Sequence, residues 1–422
     1  MRKRLGYLAG VIVLLCIPGL LLQIWQATTK CLHPFTSLIP FPMPPEGAST
    51  SAAMMYNQSQ YPMPGWWKRV GAASRPAGDL TGVAWKTALQ GEDVWLMYSS
   101  AIQRYKPESG EHYDYSIVDG DREIDIVYDM LIARDKKIWA VVRLASEFDL
   151  RLIVFDEQRN SFVTVQDRDN ILSTWKASVI RGRSGLRETA DGNIVTFFQK
   201  NILLYSPQTT IAQLLLPEDF RLTVNSIAIS EDNLWFTVEE TIDLWRLDLS
   251  TKDVSNYGHA PILGKGDYLD NFIQDEYDAI AVDSLGRVWM GYFARLQTDE
   301  NGQYVWWYPN AYPAEFIMVG SEGGYHRYFW EGDYYYLWAN VHSVYLASDN
   351  NLWFSTSAGL VKYDTSRNTW CLSAPGGLAS VTEDERGNLW IVPYNTQYQN
   401  VYWYKIQPRS EEHTSELQSP NT

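Results

Sequence analysis

The sequence predicts an all-β protein, and three observations support this expectation. A phrase in which a polar turn leads into a short apolar strand containing tryptophan recurs along the chain. Each copy is flanked by runs in which apolar and polar residues alternate, the period of a half-buried strand. After Trp25 the sequence shows no long run with a helical period.

The recurring phrase defines seven units. Its central positions are, in chain order, Trp95, Trp139, Ile194, Trp235, Trp289, Trp353 and Trp390. Ile194 takes the place of the tryptophan in the third unit. The first and last positions are separated by six intervals of about 49 residues each. Strand-rich units with a period of about 40–50 residues are typical of β-propeller blades.

Four strands can be assigned within each unit. Around Trp353 they are "VHSVYLASD", "LWFSTS", "LVKYD" and "TWCLS", with polar turns between them. One small twisted sheet cannot cover both of its faces, whereas sheets stacked around an axis cover one another. We therefore expect residues 66–408 to form a seven-bladed β-propeller.

The last unit predicts how the ring closes. It supplies three strands before Gln407, and the first unit has a surplus strand, "GWWKRVGAA", in front of it. We expect Trp66–Val70 to pair with the strand around Val401–Ile406. An open ring would leave two unpaired sheet edges, which favour aggregation.

The N-terminal residues 1–27 predict a membrane anchor. Three basic residues precede an uncharged run from Leu5 to Trp25, whose 21 residues are enough for a helix to cross a bilayer. The basic end should stay in the cytoplasm, so that the rest of the chain lies outside. A cleaved signal sequence is the alternative, and it would also export the chain.

Two further segments flank the propeller. Residues 28–65 contain seven prolines and predict a semi-rigid linker, with an ordered strap against the propeller as the alternative. Residues 409–422 are polar without a strand period, and we expect a disordered or artefactual tail. Cys31 and Cys371 can form a disulfide, or they are two separate thiols, and the sequence leaves both possibilities open.

Charge and acidic residues limit the classes of partner. The net charge of −15 argues against a nucleic-acid partner, which would require a basic face. No cofactor is predicted. Acidic residues precede most of the central positions, at offsets that vary: Asp135, Asp191, Asp232, Asp283, Asp349 and Asp384. Because such offsets lack the fixed ligand spacing of a calcium loop, we interpret these residues as turn formers and predict no metal site.

The phrases "DNNLWFSTSAGLVKYDTSRNTW" and "DERGNLWIV" resemble the two-component regulator propeller repeat. In that family the propellers are extracytoplasmic sensor domains, often joined to a membrane span and a histidine kinase. The resemblance implies a single-pass protein of the bacterial cell membrane, anchored through residues 5–25. Its propeller would bind a ligand or a partner protein as a sensor or scaffold, and would be secreted if the N-terminal segment is cleaved.

A second resemblance implies an alternative function. "DNLWFTVEETIDLWRLD" is similar to the blades of the virginiamycin B lyase family, whose members use a histidine base, a carboxylate and magnesium. The alternative is therefore a propeller lyase or hydrolase that acts in the central channel. No motif identifies its catalytic residues in this sequence.

The stretch between Trp289 and Trp353 is the predicted ligand site. It is rich in tyrosine and tryptophan, and such rings beside hydrogen-bonding groups suit a glycan or a peptide. We expect an insertion at the rim of the propeller, where binding residues gather; an extra hairpin that covers the blade edge is the alternative. The candidate ligand-binding residues are Tyr325, His326, Arg327, Trp330, Glu331 and Tyr335.

Overall fold

The computed structural model describes fifteen ranges of the chain. These are residues 30–32, 67–74, 84–145, 150–174, 185–198, 200–238, 243–259, 275–294, 315–319, 325–329, 341–356, 359–366, 369–375, 378–393 and 400–406. Within them the chain is all-β with a propeller-like arrangement, and its one helical turn is a 3-10 helix at Leu172–Thr174. No helix in these ranges is long and apolar enough to cross a bilayer. The predicted anchor, residues 5–25, lies outside them.

The first half of the described chain forms three sheets. Two strands come before them: β1 (Lys30–Leu32) and β2 (Trp67–Ser74). Sheet 1 consists of β3 (Lys86–Gln90), β4 (Asp93–Met97), β5 (Ile102–Lys106) and β6 (Glu111–Tyr115). Sheet 2 consists of β7 (Ile117–Val118), β8 (Arg122–Ile132), β9 (Ile138–Leu144), β10 (Leu150–Asp156) and β11 (Ser161–Thr164). Sheet 3 consists of β12 (Leu186–Glu188), β13 (Ile194–Phe198), β14 (Asn201–Ser206) and β15 (Ile211–Leu214).

The second half forms four more sheets. Sheet 4 consists of β16 (Val224–Ser230), β17 (Asn233–Val238), β18 (Asp243–Asp248) and β19 (Val254–His259). Sheet 5 consists of β20 (Asp275–Val282), β21 (Val288–Ala294), β22 (Glu315–Val319) and β23 (Tyr325–Phe329). Sheet 6 contains β24 (Val341–Leu346), β25 (Leu352–Thr356), β26 (Gly359–Asp364) and β27 (Thr369–Pro375), with β1 added beside β27. Sheet 7 contains β28 (Leu378–Glu383), β29 (Leu389–Pro393) and β30 (Asn400–Ile406), with β2 added beside β30.

The sheets follow one another in a closed order. Within each sheet, consecutive strands pair antiparallel. One strand of each sheet contacts its counterpart in the next sheet; these strands are β3, β8, β12, β16, β20, β24 and β28, and β28 contacts β3. These seven strands therefore lie innermost. In six sheets the other strands lie successively farther out, whereas in sheet 2 β7 pairs with both β8 and β11 and closes the sheet into a small barrel.

The predicted pairing between the two ends of the propeller is confirmed. β2 runs antiparallel to β30, with Trp67 opposite Ile406 and Ser74 opposite Asn400. The strand order of sheet 7 is β2-β30-β29-β28, so the N-terminal strand supplies its outermost member. Sheet 7 thus depends on residues from both ends of the repeated region.

The central position of each unit lies on the strand next to the innermost one of its sheet and is buried in most of the units. Trp95 and Trp289 are fully buried, and Trp139, Trp353 and Trp390 nearly so. These rings fill the space between neighbouring sheets; Trp95, for example, packs edge-on against Phe155 and Phe162 of sheet 2. The repeated tryptophan is thus a packing residue of the fold.

The assignment of Ile194 to the central position was wrong by one residue. The turn before β13 has the same backbone hydrogen bonds as the turns before Trp139, Trp289 and Trp390, and Thr189 occupies its first position. Counting six residues from that position, as in the other turns, leads to Val195, which is fully buried. Ile194 instead matches the aliphatic residue that precedes each tryptophan. A gap-free count of the phrase "DGNIV" against "RGNLW" would have given the same result.

Part of the predicted linker pairs with sheet 6. Lys30–Leu32 form β1, antiparallel to β27, and Cys31 lies directly opposite Cys371. For these three residues the structure agrees with the strap alternative. Residues opposite one another in antiparallel strands have Cα atoms about 4.5–5.5 Å apart, which is within the range of a disulfide. The register therefore permits the Cys31–Cys371 bond, and the disulfide and the two separate thiols both stay open.

Ring closure predicts that two truncations of the chain have unequal effects. A chain that begins at Arg75 lacks β1 and β2 and leaves the edges of β27 and β30 unpaired, so we expect a lower melting temperature or aggregation. A chain that ends at Pro408 keeps all of the described strands, and its melting temperature should match that of the full chain. Thermal unfolding followed by circular dichroism compares the two, and a larger loss from the C-terminal truncation would contradict this account.

Candidate functional site

The inner strands surround a channel. It encloses a cavity of about 770 Å³, and the innermost strand of every sheet contributes to its wall. One lining residue from each sheet, in the order of the sheets, is Lys86, Met130, Arg187, Ala228, Ile280, His342 and Ser380. The wall combines apolar residues with polar and charged ones.

A buried carboxylate organises the charged part of this wall. Asp129 on β8 is 1% exposed, and its Oδ1 accepts hydrogen bonds from Lys86 Nζ at 2.6 Å and from its neighbour's backbone N, Met130, at 2.8 Å. Its Oδ2 accepts hydrogen bonds from the backbone N of Gly185 and of Leu186, both at 2.8 Å. The same oxygen lies 3.8 Å from Arg187 Nη1. Asp129 thus connects the innermost strands of sheets 1, 2 and 3.

The two cations beside Asp129 are partly shielded from water. The side chains of Lys86 and Arg187 keep 29% and 25% of their exposure, and both residues line the cavity. Burial lowers the pKa of Lys86, an effect that the charge of Asp129 partly offsets. Burial likewise lowers the pKa of Arg187. The pair therefore places positive charge in a poorly solvated wall of the channel.

Hydroxyl groups join neighbouring strands at and behind the channel wall. Ser380 Oγ of sheet 7 accepts a hydrogen bond from the backbone N of Thr87 in sheet 1 at 3.1 Å. Within sheet 6, the hydroxyls of Ser343 and Ser355 lie 2.5 Å apart. Burial, and secondarily the charge of Glu383, raises the pKa of Tyr345 to about 12, so this phenol stays neutral at ordinary pH. Lys86 and Arg187 are the charged lining residues around Asp129. The other charged residues of the wall are Arg134, Lys136, Glu383, Asp384 and Glu385.

The acidic residues before the central positions form turns, as predicted. Asp283 Oδ1 accepts hydrogen bonds from the backbone N of Leu285 and of Arg287 at 3.0 Å each. Its Oδ2 reaches Trp289 Nε1 at 2.8 Å, and Asp384 makes the same bond to Trp390 Nε1 at 3.0 Å. These carboxylates fix the turn and the buried ring together. Among the described residues, no group of histidine, cysteine or acidic side chains could hold a metal ion.

Three of the six predicted ligand-binding residues lie in the described part of the chain. Tyr325, His326 and Arg327 lie on β23, which pairs with β22 as the ordinary fourth strand of sheet 5. The expected rim insertion is therefore, over 325–329, a regular strand. β23 is three strands away from β20, a distance of about 14 Å from the channel wall. Trp330, Glu331 and Tyr335 lie outside the described residues, and a ligand-binding role for the set stays a prediction.

Sequence reasoning missed the charged group of the channel. Lys86, Asp129 and Arg187 come from three different units and stand nine, ten and eight residues before the central positions. Because these offsets differ, the repeat gives no common position to inspect. The available signal was the aspartate inside the apolar run "IVYDMLIA", since a buried charge requires a partner.

A β-propeller fold is supported by comparison with solved structures. Virginiamycin B lyase from Staphylococcus aureus superimposes with a TM-score of 0.53 at 11% identity, covering 81% of this chain and 100% of that one. U3-55K superimposes with a TM-score of 0.53 at 10% identity, covering 80% of this chain and 98% of that one. At such low identity the likeness concerns the fold alone. No protein-family model matches the chain, and no curated protein matches it.

The buried position of Asp129 leads to a stability prediction. In Asp129→Ala, three backbone N–H groups and two cations lose their acceptor, and breaking a buried ion pair costs about 3–5 kcal/mol. Asp135→Ala is the matched control, because that carboxylate is half-exposed in a turn, and its loss should cost less than about 1 kcal/mol. Urea unfolding of both variants gives the two free energies, and equal losses would show that Asp129 has no special structural role.

Proposed function

We propose that this chain is a seven-bladed β-propeller, anchored in the bacterial cell membrane, whose central channel binds a small ligand outside the cytoplasm. Its role is that of a sensor or scaffold. The observation that carries the proposal is the cavity lined by the innermost strands of seven successive sheets. The closed order of those strands supports seven blades, with sheet 7 completed by β2.

The size and chemistry of the cavity support binding of a small molecule. Its volume of about 770 Å³ falls within the range of about 300–1,000 Å³ that is usual for ligand pockets. Apolar residues such as Met130 and Ile280 provide contact area, and Lys86, Arg187 and His342 provide polar groups that can orient a ligand. A glycan or a short peptide has this mixed character.

The alternative is a lyase or hydrolase that acts in the same channel. Such an enzyme needs a general base within hydrogen-bonding reach of its substrate. Among the described residues that line the cavity, His342 is the single imidazole. The carboxylate of Asp129 accepts four hydrogen bonds of 2.6–2.8 Å and is buried behind Lys86. These features favour binding over catalysis.

The proposal that the propeller is exported rests on the basic residues before Leu5 and on the apolar run that ends at Trp25. Protease added to intact cells should cleave the chain, and the intact protein should stay in the membrane fraction after a high-salt wash, because a spanning helix is not released by salt. Protease added to lysed cells is the control for accessibility. Recovery of the full-length chain from the soluble cytoplasm would contradict this part of the proposal.

The channel can be tested against the predicted rim site. A panel of glycans and short peptides is screened with the full chain by thermal shift, and affinities are measured by calorimetry. The channel variant His342→Ala with Ser343→Ala should bind the ligand at least about tenfold more weakly, which corresponds to the loss of about 1.4 kcal/mol of contacts. The comparison variant replaces Tyr325, Trp330 and Tyr335 with alanine.

The outcome identifies the site. Loss of affinity in the channel variant alone, with an unchanged melting temperature of the free protein, supports the proposal. Loss of affinity in the comparison variant alone would overturn it and place the site at 325–335. Conversion of the ligand to a product of different mass, abolished by His342→Ala, would establish the enzyme instead.

A further inference from the structure

We infer that the channel ligand carries a carboxylate, which Lys86 and Arg187 bind together. The inference rests on the proposed function and adds the chemical class of the ligand. It depends on three features of the charged group around Asp129: the donors that remain available, the balance of charge, and the position of both cations in the cavity wall.

The two cations keep donors for a ligand. An ammonium has three N–H donors, and among the described residues Lys86 Nζ uses one of them, on Asp129 Oδ1. A guanidinium has five, and within the same part of the chain Arg187 uses Nη1, on the backbone oxygen of Leu186 at 2.9 Å. Both side chains line the cavity, so their remaining N–H groups are available to an acceptor inside it.

The balance of charge around Asp129 favours one negative charge on the ligand. Lys86 and Arg187 face the single carboxylate of Asp129, which leaves this group with one excess positive charge. The other charged residues of the cavity wall, which lie outside this group, are Arg134, Lys136, Glu383, Asp384 and Glu385, and Lys136 is paired with Glu385. A carboxylate would neutralise this excess, whereas a phosphate dianion would leave the site negative in a protein that already carries a net charge of −15. Arginine also matches the planar geometry of a carboxylate with two parallel hydrogen bonds.

Partial burial strengthens the attraction of the excess positive charge for an anion. Burial lowers the pKa of Lys86 and that of Arg187, which means that both cations have lost part of their hydration in the folded protein. An anion that enters the channel replaces the lost hydration, and in a poorly solvated wall its hydrogen bonds are stronger than at an exposed surface. At the turn between β8 and β9, by contrast, Lys136 is already paired with Glu385 at 2.5 Å.

Paired probes with and without the negative charge test the inference. The full chain is titrated by calorimetry with a tripeptide that has a free C-terminus, the same tripeptide as its amide, galacturonate, and galactose. At least one acid should bind at least about tenfold more tightly than its neutral counterpart, since a hydrogen bond to a charged group contributes about that factor. Comparison of the peptide and sugar pairs shows which source of carboxylate the channel prefers.

Matched variants assign the binding to the channel. Lys86→Met and Arg187→Met should each weaken binding of the preferred acid by about tenfold or more. Lys137→Met is the control, because Lys137 is exposed and pairs with Asp135. The affinity of this variant for the preferred acid should equal that of the original chain. If Lys86→Met does not fold, Arg187→Met still tests the inference, because this variant retains the ion pair between Asp129 and Lys86 at 2.6 Å.

Equal binding of acids and neutral counterparts would overturn the inference. So would unchanged affinity in the Arg187→Met variant, or no binding of either acid up to about 10 mM. Tighter binding of inorganic phosphate than of both acids would also do so, because it would contradict the single charge. A further outcome separates the two proposals. If a neutral probe binds, and His342→Ala weakens its binding whereas Arg187→Met does not, the channel proposal stands and only the inference of a carboxylate is refuted.

Discussion

The structure depends on one packing constraint: a four-stranded sheet of short strands has two apolar faces and cannot cover both by itself. Each sheet therefore needs a neighbour on either side, which seven successive sheets can provide only if the last one meets the first. Pairing of β2 with β30 supplies this meeting, because it builds sheet 7 from strands at both ends of the repeated region. Loss of that pairing would remove support from sheets 1 and 6 as well as from sheet 7.

The same packing constraint creates the channel and determines which side chains can lie in it. Where the innermost strands converge, their polar side chains are held near the axis and are partly shielded from water. Asp129 is stable there because two cations and three backbone N–H groups compensate its charge. The arrangement connects three sheets, and we propose that the positive charge it leaves over selects ligands. In that proposal, stability and binding depend on the same group of residues.

The sequence was sufficient to predict the all-β, propeller-like arrangement because the packing constraint is repeated. The strands assigned around Trp353 match β24–β27, and the surplus strand "GWWKRVGAA" predicted the closure of sheet 7. The error at Ile194 arose where the repeat loses its tryptophan, since an aliphatic pair such as Ile194–Val195 does not identify which residue is central. The channel group was not predicted, because Lys86, Asp129 and Arg187 stand at different offsets in their units and meet only after the ring has formed. Tyr325–Arg327 suggested an insertion because their unit is long, whereas the structure uses them in a regular fourth strand.

We propose that ligands bind among the innermost strands. Hydrogen–deuterium exchange of the full chain with and without a ligand identified by screening tests it directly, because bound ligand slows exchange of the backbone amides that it covers or stabilises. We expect slower exchange in the peptides that contain Lys86, Met130 or Leu186, and unchanged exchange in the peptide 325–329. Protection confined to 325–329, with no change in the innermost strands, would contradict it.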